Sequence, residues 1–261
     1  MQDKPTLDDA LAMMRDLRER CEWDRAQTHD SLRPYLIEET HELDDAIRTG
    51  DLRQMREELG DVLLQVLFHS VIAEEAGEFD AHDVAAALIA KMERRHPHLY
   101  GGGERQPWEA MKAKTRTSIA EGLPAGLPPL HRAHRLQERA AGVGFDWNDT
   151  EGPAQKIEEE LREVREHLAP VNGRGAITAP IPIDDPRHPA LEAELGDLLF
   201  SVVNLCRRAG VHPAVALDRA NEKFVRRFEG VERLAKERGI EVGEAGLEVL
   251  DRLWDEVKGG E

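Results

Sequence analysis

The stretch Glu58-Leu59-Gly60-Asp61-Val62-Leu63-Leu64-Gln65-Val66 recurs as Glu194-Leu195-Gly196-Asp197-Leu198-Leu199-Phe200-Ser201-Val202, identical at six of nine positions. Each copy reads as helix, and residues three apart on a helix share a face. The preceding segment agrees as well, with Glu38-Glu39-Thr40-His41-Glu42 corresponding to Glu159-Glu160-Leu161-Arg162-Glu163. Each half therefore carries Glu-x-x-Glu on one helix and Glu-x-x-Asp on the next. Two adjacent antiparallel helices would point four carboxylates at one spot. These are Glu39, Glu42, Glu58 and Asp61 in the first half, and Glu160, Glu163, Glu194 and Asp197 in the second. A solvated acidic face accounts for one such pair, but solvated faces have no reason to copy their register.

Each quartet carries a formal charge that two divalent cations neutralise. Oxygen-only ligands select hard cations, Mg²⁺ or Mn²⁺, and Mg²⁺ is commonly completed by water and substrate phosphates. Gly60 and Gly196 sit inside these helices at the same register. A helical glycine costs about 1 kcal/mol relative to alanine, so its recurrence predicts the close approach of another helix or of a ligand.

Cations follow each quartet. Lys91, Arg94 and Arg95 keep the spacing of Lys223, Arg226 and Arg227, and Trp108-x-x-x-Lys112 matches Trp254-x-x-x-Lys258. Anionic oxygens need fixed donors of this kind, and a bidentate guanidinium suits phosphate. The alternative is that these are helix C-terminal charges paired with surplus carboxylates, and that both tryptophans are core anchors.

The wider composition agrees with helix and limits the partners. The chain has 261 residues, with 52 Asp plus Glu against 35 Lys plus Arg and a net charge of -17. Such a surface repels a nucleic acid, which needs a basic footprint to displace its counterions. Aromatics are 5% of residues, and the richness in Ala, Leu, Glu and Arg favours helix over sheet. No stretch reaches the roughly 18 apolar residues of a membrane span. Met1 to Asp9 is polar and acidic, unlike a secretory signal. Two distant cysteines, Cys21 and Cys206, read as free thiols of a reducing cytosol.

Local signals divide the chain. Thr6 to Asp9 has the form of a capping box, followed by Leu7, Ala10, Leu11, Met14 and Leu17 at helical spacing. Further helices are predicted over about 32–48, from after Asp51 to about 76, and from Asp80 and Asp83 to about Arg95. The third ends at Gly77, in a left-handed cap, and its expected buried face is Met55, Leu59, Val62, Leu63, Val66 and Leu67. Gly122, Pro124, Gly126, Pro128 and Pro129 mark a linker. Beyond it, helices are predicted over about 153–168 and 190–209, then a long one after His212-Pro213, then one over about 247–258. The fold class expected is all-α, with tandem duplicated four-helix-bundle-like repeats. Residues 1–117 form the first, 118–130 the linker, and 131–261 the second, which includes a Pro-rich loop at 170–189.

With these residues on the page, the chain resembles the MazG family of nucleoside triphosphate pyrophosphohydrolases, within the all-α NTP pyrophosphatase superfamily. The carrying segments are Trp23-Asp24-x-x-Gln27-Thr28, Glu38-Glu39-Thr40-x-Glu42, Glu58-Leu59-Gly60-Asp61 and Arg94-Arg95-His96-Pro97-His98. Val143-Gly144-Phe145-Asp146-Trp147 and Asn221-Glu222-Lys223-Phe224-x-Arg226-Arg227-Phe228 complete them. The resemblance implies Mg²⁺-dependent hydrolysis of NTPs and dNTPs to monophosphate and pyrophosphate, with broad base tolerance and a role in nucleotide-pool control. It also implies a homodimer whose helices complete the bundles. The chain departs from the pattern in one place: thirty residues separate Glu163 from Glu194, against fifteen between Glu42 and Glu58.

The residues expected to carry catalysis are Glu160, Glu163, Glu194, Asp197, Lys223 and Arg226, the carboxylates being metal ligands. Substrate contacts are expected from Arg227, Trp254, Lys258, Lys91, Arg94, Arg95 and Lys112, and a second metal set from Glu39, Glu42, Glu58 and Asp61. The second repeat is expected to be the active one, because it keeps the fuller Asn-Glu-Lys-Phe helix.

Two other readings start from the same residues. Glu38-x-x-His41 and Glu93-x-x-His96 have the form used by di-iron carboxylate bundles. The second half replaces both histidines, with Arg162 and Phe228, while its quartet persists. The other alternative is a regulatory nucleotide-binding helical protein that holds metal without turnover.

Overall fold

Helix boundaries are set by short polar side chains that satisfy exposed backbone groups. Residues 4–103, 112, 116–168 and 180–260 are described in the computed structural model, and no strand occurs among them. The chain divides into two compact units, Met1–Arg105 and Gln106–Glu261.

In the first unit, α1 (Leu7–Arg20) opens on Thr6, whose hydroxyl accepts from the Asp9 amide while Asp9 accepts from the Thr6 amide at 2.7 Å. A short α2 (Glu22–Ala26) leads to α3 (His29–Thr49), capped reciprocally by Thr28 and Ser31. That box starts α3 three residues ahead of the predicted 32–48. Gly50, at φ 73°, ends α3, and Asp51 caps α4 (Leu52–Glu75) through the amides of Arg53 and Gln54. This tight turn folds α3 and α4 against each other. Gly77 adopts the left-handed conformation expected of it, and Asp80 and Asp83 form the box that opens α5 (Ala81–Arg95). A single turn, α6 (Pro97–Tyr100), follows.

The core of this unit is Leu11, Met14, Leu32, Phe68 and Val71. Arg18, 8% exposed, donates to Glu75 of α4 and to the carbonyls of Arg25 and Gln27, so it ties α1 to α4 and to the α2–α3 turn. The buried face of α4 is Gln65, Phe68, Ser70, Val71 and Ala73. Leu59 and Val66 of the predicted face are exposed, at 50% and 43%, because α1 and α3 cover the other side of α4.

The second unit begins with turns over residues 117–127 and then α7 (Pro129–Ala141), a helix that the sequence reading passed over as the end of the linker. Pro129 stands at its first position, where proline's missing N–H costs nothing. Then come α8 (Glu151–His167), α9 (His188–Arg208), α10 (Pro213–Glu237) and α11 (Gly246–Gly259). Residues 170–179 of the Pro-rich loop lie outside the described residues. Helices α8 and α9 pair closely and α7 packs on α9. Helices α10 and α11 share their own core of Val231, Ala235 and Leu253. A methyl built on Gly230 would fall 2.8 Å from Val257, so glycine sets the spacing of that pair. Among the described residues, no helix is long and apolar enough to cross a membrane.

Candidate active site

In each unit the helix pair converges three carboxylates. Ligand oxygens of Glu39, Glu58 and Asp61 lie within 4.8 Å of one another in the first unit, as do those of Glu160, Glu194 and Asp197 in the second. Glu42 and Glu163, the fourth members expected from spacing, stand outside these trios. Glu42 is hydrogen-bonded to Glu58, and desolvation followed by repulsion from Glu58 and Glu38 raises its carboxyl above the ordinary range. Glu39 is raised likewise, by desolvation first and then by Asp61 and Glu42. Glu163 is raised by desolvation and then by Glu160 and Glu194. Like charges gathered this way repel one another, and the hard oxygen donors fit a Mg²⁺-class ion.

The two trios differ in their neighbours. In the second unit Glu160 is 4% exposed, and Lys156 Nζ lies 2.6 Å from its Oε1 and 3.2 Å from Glu159. The bond to Glu160, seconded by Glu159, holds the Lys156 ammonium above its usual range. Tyr35 occupies the matching position of the first unit and meets Trp23 edge-on at 6.3 Å. Lys156 was missed in the sequence because only its i, i+4 relation to Glu160 marks it, and that relation is common on acidic helices.

A cleft of about 520 Å³ adjoins the second trio, with Lys156, Glu160 and Asp197 in its wall. Helix α9 lines it with Asp197, Phe200, Ser201 and Asn204, a single helical stripe. Phe145 and Trp147 come from the loop between α7 and α8. That loop is fastened to α9 by Asp146, which accepts from Arg207 and, at 3.3 Å, from Arg208. Bonding to Arg207 in a half-buried setting lowers the Asp146 carboxyl below the usual range.

The cations predicted from spacing lie elsewhere. None of Lys223, Arg226, Arg227, Trp254 or Lys258 lines the cleft. Trp254 packs on Phe224 at 5.5 Å, with the Arg227 guanidinium over its ring at 5.8 Å, inside the α10–α11 pair. Lys223, Arg226 and Lys258 are exposed on the same pair, and Lys91 and Arg94 are exposed on α5, with Arg95 half-buried. Lys112 is half-buried, and its partner Trp108 lies outside the described residues. At Gly60 and Gly196 the expected close approach of another helix is not found, since a Cβ at either meets nothing within 4 Å among the described residues, which leaves the approach of a ligand as the expected use of the glycine. No helix among the described residues approaches there.

Each unit thus sets an all-α helix pair around clustered carboxylates, and comparison with known proteins specifies the class. The description of the MazG nucleotide pyrophosphohydrolase domain matches residues 27–100. The nucleoside triphosphate pyrophosphohydrolase/pyrophosphatase MazG of Thermotoga maritima is 46% identical over 97% of this chain and 96% of its own. The nucleoside triphosphate pyrophosphohydrolase of Escherichia coli K12 is 39% identical over 95% of this chain and 94% of its own. A Bacillus subtilis protein, YabN, is 40% identical over 95% of this chain and 50% of its own. The chain belongs to the MazG family of nucleoside triphosphate pyrophosphohydrolases.

Proposed function

We propose that the protein hydrolyses nucleoside triphosphates, ribo- and deoxyribo-, to monophosphate and pyrophosphate, and that the second unit carries the reaction. The observation behind this assignment is a nucleotide-sized cleft lined by Glu160 and Asp197 of the trio they form with Glu194. Mg²⁺, with Mn²⁺ as substitute, supplies charge neutralisation and acidification of a water when bound to these carboxylates. Glu163, close enough to feel both Glu160 and Glu194, completes the ligand set.

The chain's own groups do the rest. Lys156 balances Glu160 in the free protein and is placed to turn to a phosphate oxygen when metal takes over that role. A carboxylate of the set accepts the proton of the attacking water. The water oxygen bonds to phosphorus as the α–β anhydride breaks, and pyrophosphate leaves. Lys223, Arg226, Arg227 and Lys258, and likewise Lys91, Arg94, Arg95 and Lys112, lie outside the cleft of the single chain, so a phosphate role for them requires that a partner subunit bring them to a site, while Trp254 stays in the α10–α11 core. The first trio, with Glu42, is a second metal set.

A homodimer fits the apolar residues left uncovered in one chain. Leu59, Leu64 and Val66 on α4 and Leu195, Leu199 and Val202 on α9 are all exposed, more than scattered surface residues account for. Cys21 and Cys206 are free thiols, which accords with the proposed cytosolic location, and a part in nucleotide-pool control is proposed with the reaction itself.

Incubation of the eight common NTPs and dNTPs with protein and Mg²⁺, followed by product separation, tests the reaction. Monophosphate with pyrophosphate is expected. Diphosphate with phosphate overturns the reading, and absence of turnover favours the nucleotide-binding alternative. Loss of turnover in Glu194→Gln with retention in Glu58→Gln assigns it to the second unit.

A further inference from the structure

The cleft beside the second trio is longer and more apolar than a triphosphate requires. Along α9 it runs from Asp197 to Asn204, two turns of helix, about 10 Å. Beyond the carboxylates its wall is aromatic, with Phe200, Phe145 and Trp147. Trp147 is seated with unusual closeness: a methyl group on Gly152 would fall 2.0 Å from its Cδ1, so only glycine admits the indole there. The same loop is tied to α9 through Asp146 and Arg207. Both constraints hold an aromatic plane that is nonetheless 41% exposed.

Gln137 lies in this wall, alongside Ser201 and Asn204 of α9. Gln137, 5% exposed, donates from Nε2 to the Phe200 carbonyl at 2.8 Å, which fixes the orientation of its amide. Its Oε1 is buried and has no hydrogen-bond partner among the described residues. A buried acceptor left so is costly unless something donates to it.

We propose that this wall is the nucleobase subsite, with the base stacked on Trp147 beside Phe145 and an N–H of its edge donated to Gln137 Oε1. The proposal rests on the reading of the trio as the triphosphate end of the same site. Aromatic stacking accepts any base, because every base has a π-face. A single acceptor is equally tolerant, since each common base carries at least one N–H on its pairing edge. The subsite therefore anchors nucleotides without choosing strongly among them, and it gives nothing to inorganic polyphosphate.

The test is calorimetric binding of α,β-methylene ATP and, separately, of inorganic tripolyphosphate, both with Mg²⁺. Wild type is compared with Trp147→Ala, Trp147→Phe, Phe145→Ala and Gly152→Ala, and melting curves verify each fold. The expected result for Trp147→Ala is a Kd for the analogue raised about tenfold or more, the scale of one lost base stack. Tripolyphosphate affinity is expected to stay within twofold. Trp147→Phe restores most of the loss, and Gly152→Ala reproduces it by displacing an intact indole. Unchanged analogue affinity in folded Trp147→Ala and Phe145→Ala overturns the subsite, as does an equal loss for tripolyphosphate. Binding is read without turnover, so a protein that binds the analogue in this way but hydrolyses no NTP refutes the proposed reaction and leaves the subsite standing.

Discussion

Lys156 Nζ, one turn earlier on α8, lies 2.6 Å from Oε1 of the buried Glu160 and is its cationic partner. A charge pair of this kind serves two states. Lys156 offsets the acidity of the trio, and were a cation held by Glu160, Glu194 and Asp197, its ammonium would be free to meet a phosphate oxygen. Replacement by Met keeps the length of the stem and removes the charge. Lys156→Met is expected to lower kcat/KM by about tenfold to a hundredfold, the scale of losing an electrostatic stabiliser. Steady-state kinetics at saturating Mg²⁺ measure it, and a change under twofold removes Lys156 from the site.

Metal binding is expected to raise thermal stability. The folded protein holds Glu39, Glu42 and Glu163 above the ordinary carboxylate range, chiefly by desolvation and then by neighbouring carboxylates. Carboxyl groups raised in the fold bind protons more tightly there than in the unfolded chain. Their contribution therefore becomes less favourable as pH rises through the raised values. A bound cation substitutes for the missing protons, so Mg²⁺ raises Tm at pH 7.5 and has little effect near pH 4.5. Scanning fluorimetry with and without Mg²⁺ checks this, and Asp61→Asn with Asp197→Asn abolishes most of the shift. A Tm unmoved by Mg²⁺ at millimolar concentration counts against both clusters.

Acid is expected to loosen α7 from α10. His131, His134 and His212 gather at that contact, with ring centroids 5.1 Å and 4.7 Å from His212. Arg135 and Glu138 face the same group. Desolvation and then His212 lower His131; desolvation lowers His134, against the pull of Glu138. Folded imidazoles with lowered values bind protons less tightly than unfolded ones. Stability from this cluster is complete above about pH 6.5 and declines as pH falls through the lowered values. Urea denaturation at pH 7.5 and 5.5 gives the slope, which His134→Asn is expected to flatten. An unchanged slope in that variant removes the cluster as its source.

Asp146→Ala is expected to cost about 2–4 kcal/mol of unfolding free energy, because it strands Arg207 in a half-buried setting. The lowered Asp146 carboxyl has the opposite sign from the raised ones. Its contribution is present above the unfolded value and disappears as pH falls through the folded one. Urea denaturation of the variant measures the cost, and a loss below about 0.5 kcal/mol, the surface-substitution scale, contradicts the clamp.

Where chemistry is local, the sequence was easy to read. Thr6 with Asp9 and Asp80 with Asp83 are boxes that need only four residues, and Gly77 needs only its own φ. The trios were legible because helical spacing places Glu58 beside Asp61, and Glu194 beside Asp197, before any tertiary contact forms. Other features depended on packing. The α4 face was misjudged at Leu59 and Val66, since hydropathy reports that a residue is apolar and not which neighbour covers it. Helix α7 was hidden by the prolines that start it. Gln137 stood in no motif and Trp147 stood in one without an assigned role, because an orphaned acceptor and a glycine-seated indole exist only once α7, α8 and α9 meet.

The stripe on α9 that joins Asp197 to Asn204 also acts as a ruler. Each residue turns a helix by about 100° and advances it about 1.5 Å. One residue inserted between Asp197 and Phe200 would turn Phe200 and Asn204 away from the cleft while leaving the carboxylates where they are. Length can therefore vary in the connection before α9, as it does between the two halves of this chain, but not within this stripe. The separation of the two ends of the substrate is written into the pitch of a single helix.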